Sequence, residues 1–285
     1  MKKTKKYFFN YATVGPMNKE IYDVARVFLD DYYYLGPPEV VCKYEEHAPK
    51  LALEASKLLN CEPDEITYLK NTTEGINIAA DILPLGVGDE VLILKKEYPA
   101  SLLVWSKKSK TDGIKLKIID GRNSKEAVCN LLAAISHKTK AIIISWAQCH
   151  DGYLPDLNEL STICRARGVY LIVDGVQGIG NRVLDLQKTP LDILVCGGQK
   201  YLGGIVGIGF MYVNKKIMPQ LRETKIGIRS VLGFGDGSYQ LKQSAGRFQD
   251  GTMNLLGIVC LARALRRLNQ LGIKNIENKN YEITV

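Results

Sequence analysis

Histidine is scarce in this sequence of 285 residues, and the three present, His47, His137 and His150, lie far apart. They make no metal-ligand spacing, so no metal site is expected. Cysteine occurs seven times, at positions 42, 61, 129, 149, 164, 196 and 260. The count is odd and no pair has C-x-x-C spacing, which argues against a disulfide framework and against zinc and fits a reducing cytoplasm. No stretch approaches ~18 uninterrupted apolar residues, so no membrane span is expected. The basic run Lys2, Lys3, Lys5, Lys6 has no apolar region after it and is not read as a secretory signal. Aromatic residues are not interleaved with basic ones as in single-strand binders, and no nucleic-acid partner is expected. No G-x-G-x-x-G joins a first strand to its helix, which removes a dinucleotide-binding reading. Internal repeats and low-complexity segments are absent too.

What remains is an ordinary globular composition, 46% hydrophobic and 24% charged, in a chain long enough to bury a large core. The net charge of +8 comes mostly from scattered lysines and suits an anionic ligand such as a phosphate ester. Helical spacing is predicted over 18–30. A loop is predicted over Tyr32–Tyr34 and Gly36–Pro38, then mostly helix over 39–59 with a break or kink at Pro49. From Ile66 the texture alternates. Strands are predicted at 66–70, 91–94, 115–119, 141–146, 170–173, 193–196 and 209–213. Helices are predicted at 76–82, 99–108, 125–135, 157–167 and 255–271, with a polar tail over 277–280. Near-continuous apolar strands separated by helices indicate an α/β fold with a mainly parallel seven-stranded sheet covered on both faces. Ligands of such sheets sit at the carboxyl ends of the strands.

The stretch from Ile193 to Val213 carries the most distinctive pattern. A buried strand ends in two glycines, Lys200 follows, and two more glycines precede a second buried strand. Lysine is rarely buried. In a dry pocket its pKa falls and its free amine can form a Schiff base with an aldehyde. A turn lysine pointing into water fits the same residues. Asp174, at another strand end, is either a helix cap or a carboxylate held for a cationic ring nitrogen. Thr72 and Thr73 open a helix whose N–H groups and dipole favour an anion, although Asn71 with Glu74 would also make an ordinary helix start. Together these are an aldehyde-reactive amine, a carboxylate and a phosphate cradle at one sheet edge, the parts needed to hold pyridoxal phosphate.

Several ordered motifs sharpen this reading: Asn71-Thr72-Thr73-Glu74-Gly75-Ile76-Asn77, Glu97-Tyr98-Pro99-Ala100 with Trp105, Val173-Asp174-Gly175-Val176-Gln177, Cys196-Gly197-Gly198-Gln199-Lys200, and Arg247-Phe248-Gln249-Asp250-Gly251-Thr252-Met253-Asn254. In order and spacing the chain resembles the class V aminotransferases, fold-type-I pyridoxal-phosphate enzymes that include cysteine desulfurases, selenocysteine lyases and isopenicillin N epimerase-like proteins. The resemblance implies that Lys200 bonds the cofactor aldehyde and serves in catalysis with Asp174, the partner of the pyridinium nitrogen. It implies that Gln177 donates to the ring 3-oxygen, that Val176 packs on the ring, and that Tyr98 stands where it can stack. Thr72, Thr73 and Gln199 would hold the phosphate. Gly251 and Thr252 would complete the site of a neighbouring subunit, which implies a homodimer with shared active sites. The substrate class implied is a small amino acid, in a cytoplasmic enzyme of aminotransferase, epimerase or lyase type.

The departures narrow the expectation. Pro99 stands where many desulfurases carry a ring-stacking histidine, Cys149 where an asparagine is usual, and Gly197 where many relatives have a hydroxyl. Relatives continue into a small domain that supplies a substrate-binding arginine, and in desulfurases a cysteine loop. The expected division is therefore an arm over 1–15, a cofactor-binding large domain over 16–255, and over 256–285 a helix leading to a truncated small domain. Arg229 and Arg247 are the internal candidates for a substitute arginine, with a surface or dimer-contact role the favoured reading of either. A catalytically weak or silent homologue that binds the cofactor or a partner chain is the alternative.

Overall fold

The structure, a computed structural model, describes Phe8 and residues 10–284. The basic run at positions 2–6 and most of the expected N-terminal arm lie outside the described residues. Three helices come first: α1 (Lys19–Tyr34), α2 (Pro37–Tyr44) and α3 (His47–Leu59). The Asn18 side chain caps α1 by accepting from the Ile21 N–H at 3.0 Å. The helix runs through Tyr32–Tyr34, where a loop is predicted. Tyr32 stacks on Phe28 one turn earlier, with centroids 6.1 Å apart, and Phe28 packs edge-on against Tyr44 at 4.8 Å. An i,i+4 aromatic pair of this kind favours the helix it sits on, which ends at Tyr34, two residues before Gly36 with φ +88°. The break in the 39–59 segment falls at Glu45–Glu46, ahead of Pro49. Pro49 lies in the first turn of α3, where its missing N–H has no intrahelical partner to lose.

The alternating part follows in order: β1 (Ile66–Leu69), α4 (Thr72–Ile82), β2 (Glu90–Leu94), α5 (Pro99–Asp112), β3 (Lys115–Ile119), α6 (Ser124–Ala133), β4 (Thr139–Ser145), α7 (Leu157–Arg167), β5 (Tyr170–Asp174), β6 (Ile193–Gly197) and β7 (Gly209–Val213). The seven-stranded sheet has the order β1-β7-β6-β5-β4-β2-β3. Strands β3, β2, β4, β5 and β6 are parallel; β7 runs against both its neighbours. Because β7 is reversed, β1 points the same way as β6, and the carboxyl ends of β1, β2, β4, β5 and β6 share one edge. The mainly parallel seven-stranded sheet expected from sequence is what forms.

Two elements differ from expectation at the C-terminal side. A hairpin, β8 (Val231–Gly235) with β9 (Ser238–Leu241), falls in a stretch with no strand assigned from sequence. Its turn is Asp236-Gly237, both with positive φ, the chemistry a tight hairpin needs. After α8 (Leu255–Leu271), the predicted polar tail is helical, α9 (Ile273–Thr284). It is held from outside by Glu277 to Arg182 at 3.5 Å and by Asn280 donating to Asn181 at 2.6 Å. No helix among the described residues is long and apolar enough to cross a membrane.

Helix α8 fixes the position of the lysine loop. One face packs with Leu51, Ala55 and Leu59 of α3 in the main core; Cys260 and Ala264 cover Ile21 of α1. Leu261, fully buried, fills the space beside Gly198 and Gly204, which flank Lys200. Truncation there loses both transfer energy and packing. Leu261→Ala is expected to cost about 2–5 kcal/mol in urea denaturation; a loss below about 1 kcal/mol would show that the loop is held by other contacts.

Candidate active site

Each candidate side chain is delivered by a strand end. Strand β5 ends in Asp174, whose side chain is 3% exposed. The Val176 N–H donates to Asp174 Oδ1 at 3.0 Å, and among the described residues no other donor reaches this carboxylate. Burial pushes the Asp174 carboxyl up to about 7; Val176 and the nearby Lys200 charge oppose the rise, and Glu97 adds to it. Lys200 follows β6 on a turn and is half-buried. Burial lowers its pKa below the ordinary lysine value, against the pull of Asp174. Lys200 does lie on a turn, but half-buried rather than in open water, and it and Asp174 feel each other's charge at a dry edge where burial biases each toward its neutral form.

The anion cradle has two sides. Asn71 caps α4 by accepting from the Glu74 N–H at 2.9 Å, so capping is real here. It consumes the Glu74 donor and leaves the N–H groups of Thr72 and Thr73 with no acceptor among the described residues. Those two donors and the helix dipole are therefore free for an anion. On the other side, a Cβ placed on Gly197 would lie 2.6 Å from Gln199 Oε1 and 3.0 Å from Thr72 Oγ1. Glycine at 197 therefore leaves room for the Gln199 amide to sit beside Thr72, in the place a side chain at 197 would fill.

Gln177 and Val176 are half-buried just past Asp174. The Gln177 amide donates to Ala12 O at 3.0 Å, the Gly15 N–H donates to Gln199 O at 2.7 Å, and the Tyr11 and Tyr201 rings stack at 6.3 Å. The segment around Tyr11–Gly15 therefore lies over this edge. Tyr98 caps the start of α5 and is 49% exposed, with no ring contact among the described residues. Gly251 and Thr252 line a separate small cavity with Lys70, Glu74 and Gly207. Arg229 pairs with Glu45 at 2.9 Å and lines another cavity; Arg247 reaches Met218 O at 3.5 Å. Neither arginine is directed to Lys200. No cluster of three or more potential metal ligands occurs among the described residues.

One part of the site was not singled out from sequence. Glu97, 3% exposed, accepts from the Ser145 N–H at 2.8 Å, the Ser145 hydroxyl, Gln148 Nε2 at 3.3 Å and the Tyr98 N–H at 2.9 Å. This buried network ties the end of β2 to the end of β4 beside Asp174. Glu97 heads the Glu-Tyr-Pro-Ala motif, and that was the available signal.

The residues fit a ligand with an aldehyde, a cationic ring nitrogen and a phosphate. Lys200 offers the amine, Asp174 an under-bonded carboxylate, and Thr72, Thr73 and Gln199 the anion cradle.

Comparison with known proteins identifies the family and the fold. The family model described as Aminotransferase class-V matches residues 8–285. A protein described as "Probable cysteine desulfurase" from Pyrococcus abyssi is 28% identical over 256 residues, covering 85% of this chain and 60% of that protein. Among solved structures, the cystine C-S lyase C-DES in complex with cysteine persulfide superposes with a TM-score of 0.87 at 22% identity, covering 94% of this chain and 73% of the other. A lysine-to-alanine variant of C-DES with glycine covalently linked to its PLP cofactor gives a TM-score of 0.87 at 21% identity, covering 94% and 72%. The chain thus spans about 60% of the length of that curated relative.

The buried carboxyl makes a testable demand on stability. Its folded-state pKa of about 7 lies well above the ordinary value of 3.8 for an aspartate, so the folded form prefers the proton. Its contribution is fully present below about pH 4 and is lost as pH rises through about 7. Without added cofactor, denaturation of the wild type should show stability falling over that window relative to Asp174→Asn, by on the order of 4 kcal/mol. Parallel curves would place Asp174 in a wetter site.

Proposed function

Because this chain belongs to the aminotransferase class-V family, we propose that it is a pyridoxal-phosphate enzyme acting on an amino acid, holding the cofactor through Lys200. The observation that carries this reading is the meeting, at one sheet edge, of a half-buried amine of lowered pKa, a fully buried carboxylate and two unpaired helix N–H groups. When bound, the cofactor supplies an aldehyde for amines and a cationic ring that accepts electron density from the carbon next to the substrate nitrogen.

The remaining roles belong to the chain. Lys200, whose pKa burial lowers, would take and return a proton at the substrate α-carbon. Asp174 would hold the ring nitrogen in its protonated form by opposite charge. Its own ionisation is then favoured, since a nearby cation reverses the effect of burial. The N–H groups of Thr72 and Thr73, with Gln199, hold the phosphate. Gln177 keeps one amide hydrogen for the ring oxygen while the other goes to Ala12. Val176 and Tyr98 would hold the ring between them. The segment from Tyr11 to Gly15 keeps bulk water from the Lys200 turn, which strengthens every electrostatic interaction behind it.

Cleavage at carbon–sulfur bonds is the reaction type favoured by the named activities of the relatives, and it makes cysteine and cystine the first substrates to try. Pro99, at the first position of α5, brings no acid or base to that reaction. A homodimer is part of the proposal, supported by the position of Gly251 and Thr252 on a surface cavity away from Lys200.

Addition of pyridoxal phosphate should give a visible absorption band, and borohydride should fix an adduct that maps to Lys200. Lys200→Ala should lose the reducible adduct entirely. An adduct that survives in this variant would refute the assignment.

A further inference from the structure

Beside the Lys200 turn lies a cavity of about 240 Å³, lined by Gln148, Cys149, Gln177, Asn181, Arg182 and Tyr201 among others. Three of these tie it to the reacting edge. Gln177 follows Asp174 on the same turn, Tyr201 follows Lys200, and the Cys149 thiol feels the charges of both Lys200 and Asp174. Arg182 is the only charged side chain among the lining residues. The cavity is therefore built for a negative group.

Arg182 is also held in place and under-bonded. Its N–H donates to Gly178 O at 2.9 Å. The adjoining Gly180, with φ +90°, presses so close to the Lys200 loop that a Cβ there would lie 2.7 Å from Tyr201 O. The Arg182 backbone is thus locked to the backbone that carries Lys200. Its guanidinium reaches one acceptor among the described residues, Glu277 Oε1 of α9, at 3.5 Å from Nη1. Nε is buried with no acceptor. Glu277 is itself divided between Arg182 and Lys274, 3.3 Å away. A guanidinium prefers two parallel bonds of about 2.8 Å to one carboxylate. A buried donor left empty is costly, and a ligand that fills it recovers that cost.

We propose that Arg182 binds the carboxylate of the amino-acid substrate in this cavity, with Glu277 as the loose resting partner that the substrate displaces. The proposal rests on the amino-acid reading above, and its test is independent of bound cofactor. Cys149 is exposed and lines the same cavity, so its alkylation reports occupancy; Cys42 and Cys129 are exposed elsewhere, and Cys164, Cys196 and Cys260 are buried and report folding.

The full chain is treated with iodoacetamide in the presence of propionate, a carboxylate without an amine, or propionamide, its neutral counterpart. Cysteine reactivity is read by peptide mass spectrometry. Propionate should slow labelling of Cys149 alone, and propionamide should not. Arg182→Gln should weaken that protection about tenfold or more, as loss of a charge-assisted bond implies. Arg182→Lys should retain part of it. Glu277→Gln, which removes the competitor and leaves the arginine, should strengthen protection several-fold. No protection in the wild type, equal protection by propionamide, undiminished protection in Arg182→Gln, or weaker protection in Glu277→Gln would each overturn the proposal. Parallel wild-type samples receive pyridoxal phosphate and borohydride, and the adduct at Lys200 is scored in them. Protection without an adduct would refute the cofactor reading and leave Arg182 standing; an adduct without protection would do the reverse.

Discussion

Taking the Asp174 carboxylate out of water, with one backbone N–H to hold it, costs free energy that the fold must recover elsewhere. Recovery comes from the sheet on which it sits. Strands β4, β5 and β6 are buried along nearly their whole length, and apolar side chains above and below them form two large cores. The carboxylate is thus imposed by its strand, and the same dryness lowers the pKa of Lys200 across from it. Neither group would be chemically unusual on a wet surface. The reactive pair is a consequence of where two buried strands end.

The reversed direction of β7 matters for the same reason. It lets β1 join the sheet beside β7 while pointing the way β6 points. The helix that follows β1 therefore presents its N-terminus to the turn that follows β6. Thr72 meets Gln199 there because Gly197 adds no side chain between them. The anion cradle is in this sense a product of strand order. Helix α8 supports it from behind through Leu261, and the segment around Tyr11–Gly15 covers it from the front.

The secondary structure was largely legible from apolar runs, caps and glycines, since strands buried on both faces read as continuous hydrophobic segments. The failures have physical causes. Tyr32–Tyr34 read as a loop because the Phe28–Tyr32–Tyr44 stack needs α2 in place. Residues 277–280 read as a polar tail because their helix is held by Arg182 and Asn181, almost a hundred positions earlier. Pro49 drew a break that belongs three residues ahead of it, since a first-turn proline breaks nothing. Lys200, Asp174, Thr72 and Thr73 were legible as candidates because each stands at a strand end. Glu97 showed only as the head of its motif and Arg182 not at all, since a charged residue on a loop carries little sign of its surroundings.

The order of apolar strands and helices, the glycines around Lys200 and the motifs that bear the family resemblance were determined by the amino-acid sequence alone, because they depend on local pattern. Only the tertiary structure decided that Lys200 is half-buried within reach of the charge of a protonation-prone Asp174, that the Thr72 and Thr73 donors are left without a partner among the described residues, and that Arg182 lines a cavity beside the Lys200 turn with one distant acceptor among those residues. Burial and unmet hydrogen bonds are relations between segments far apart in the chain, and they exist only once the sheet has brought its strand ends together.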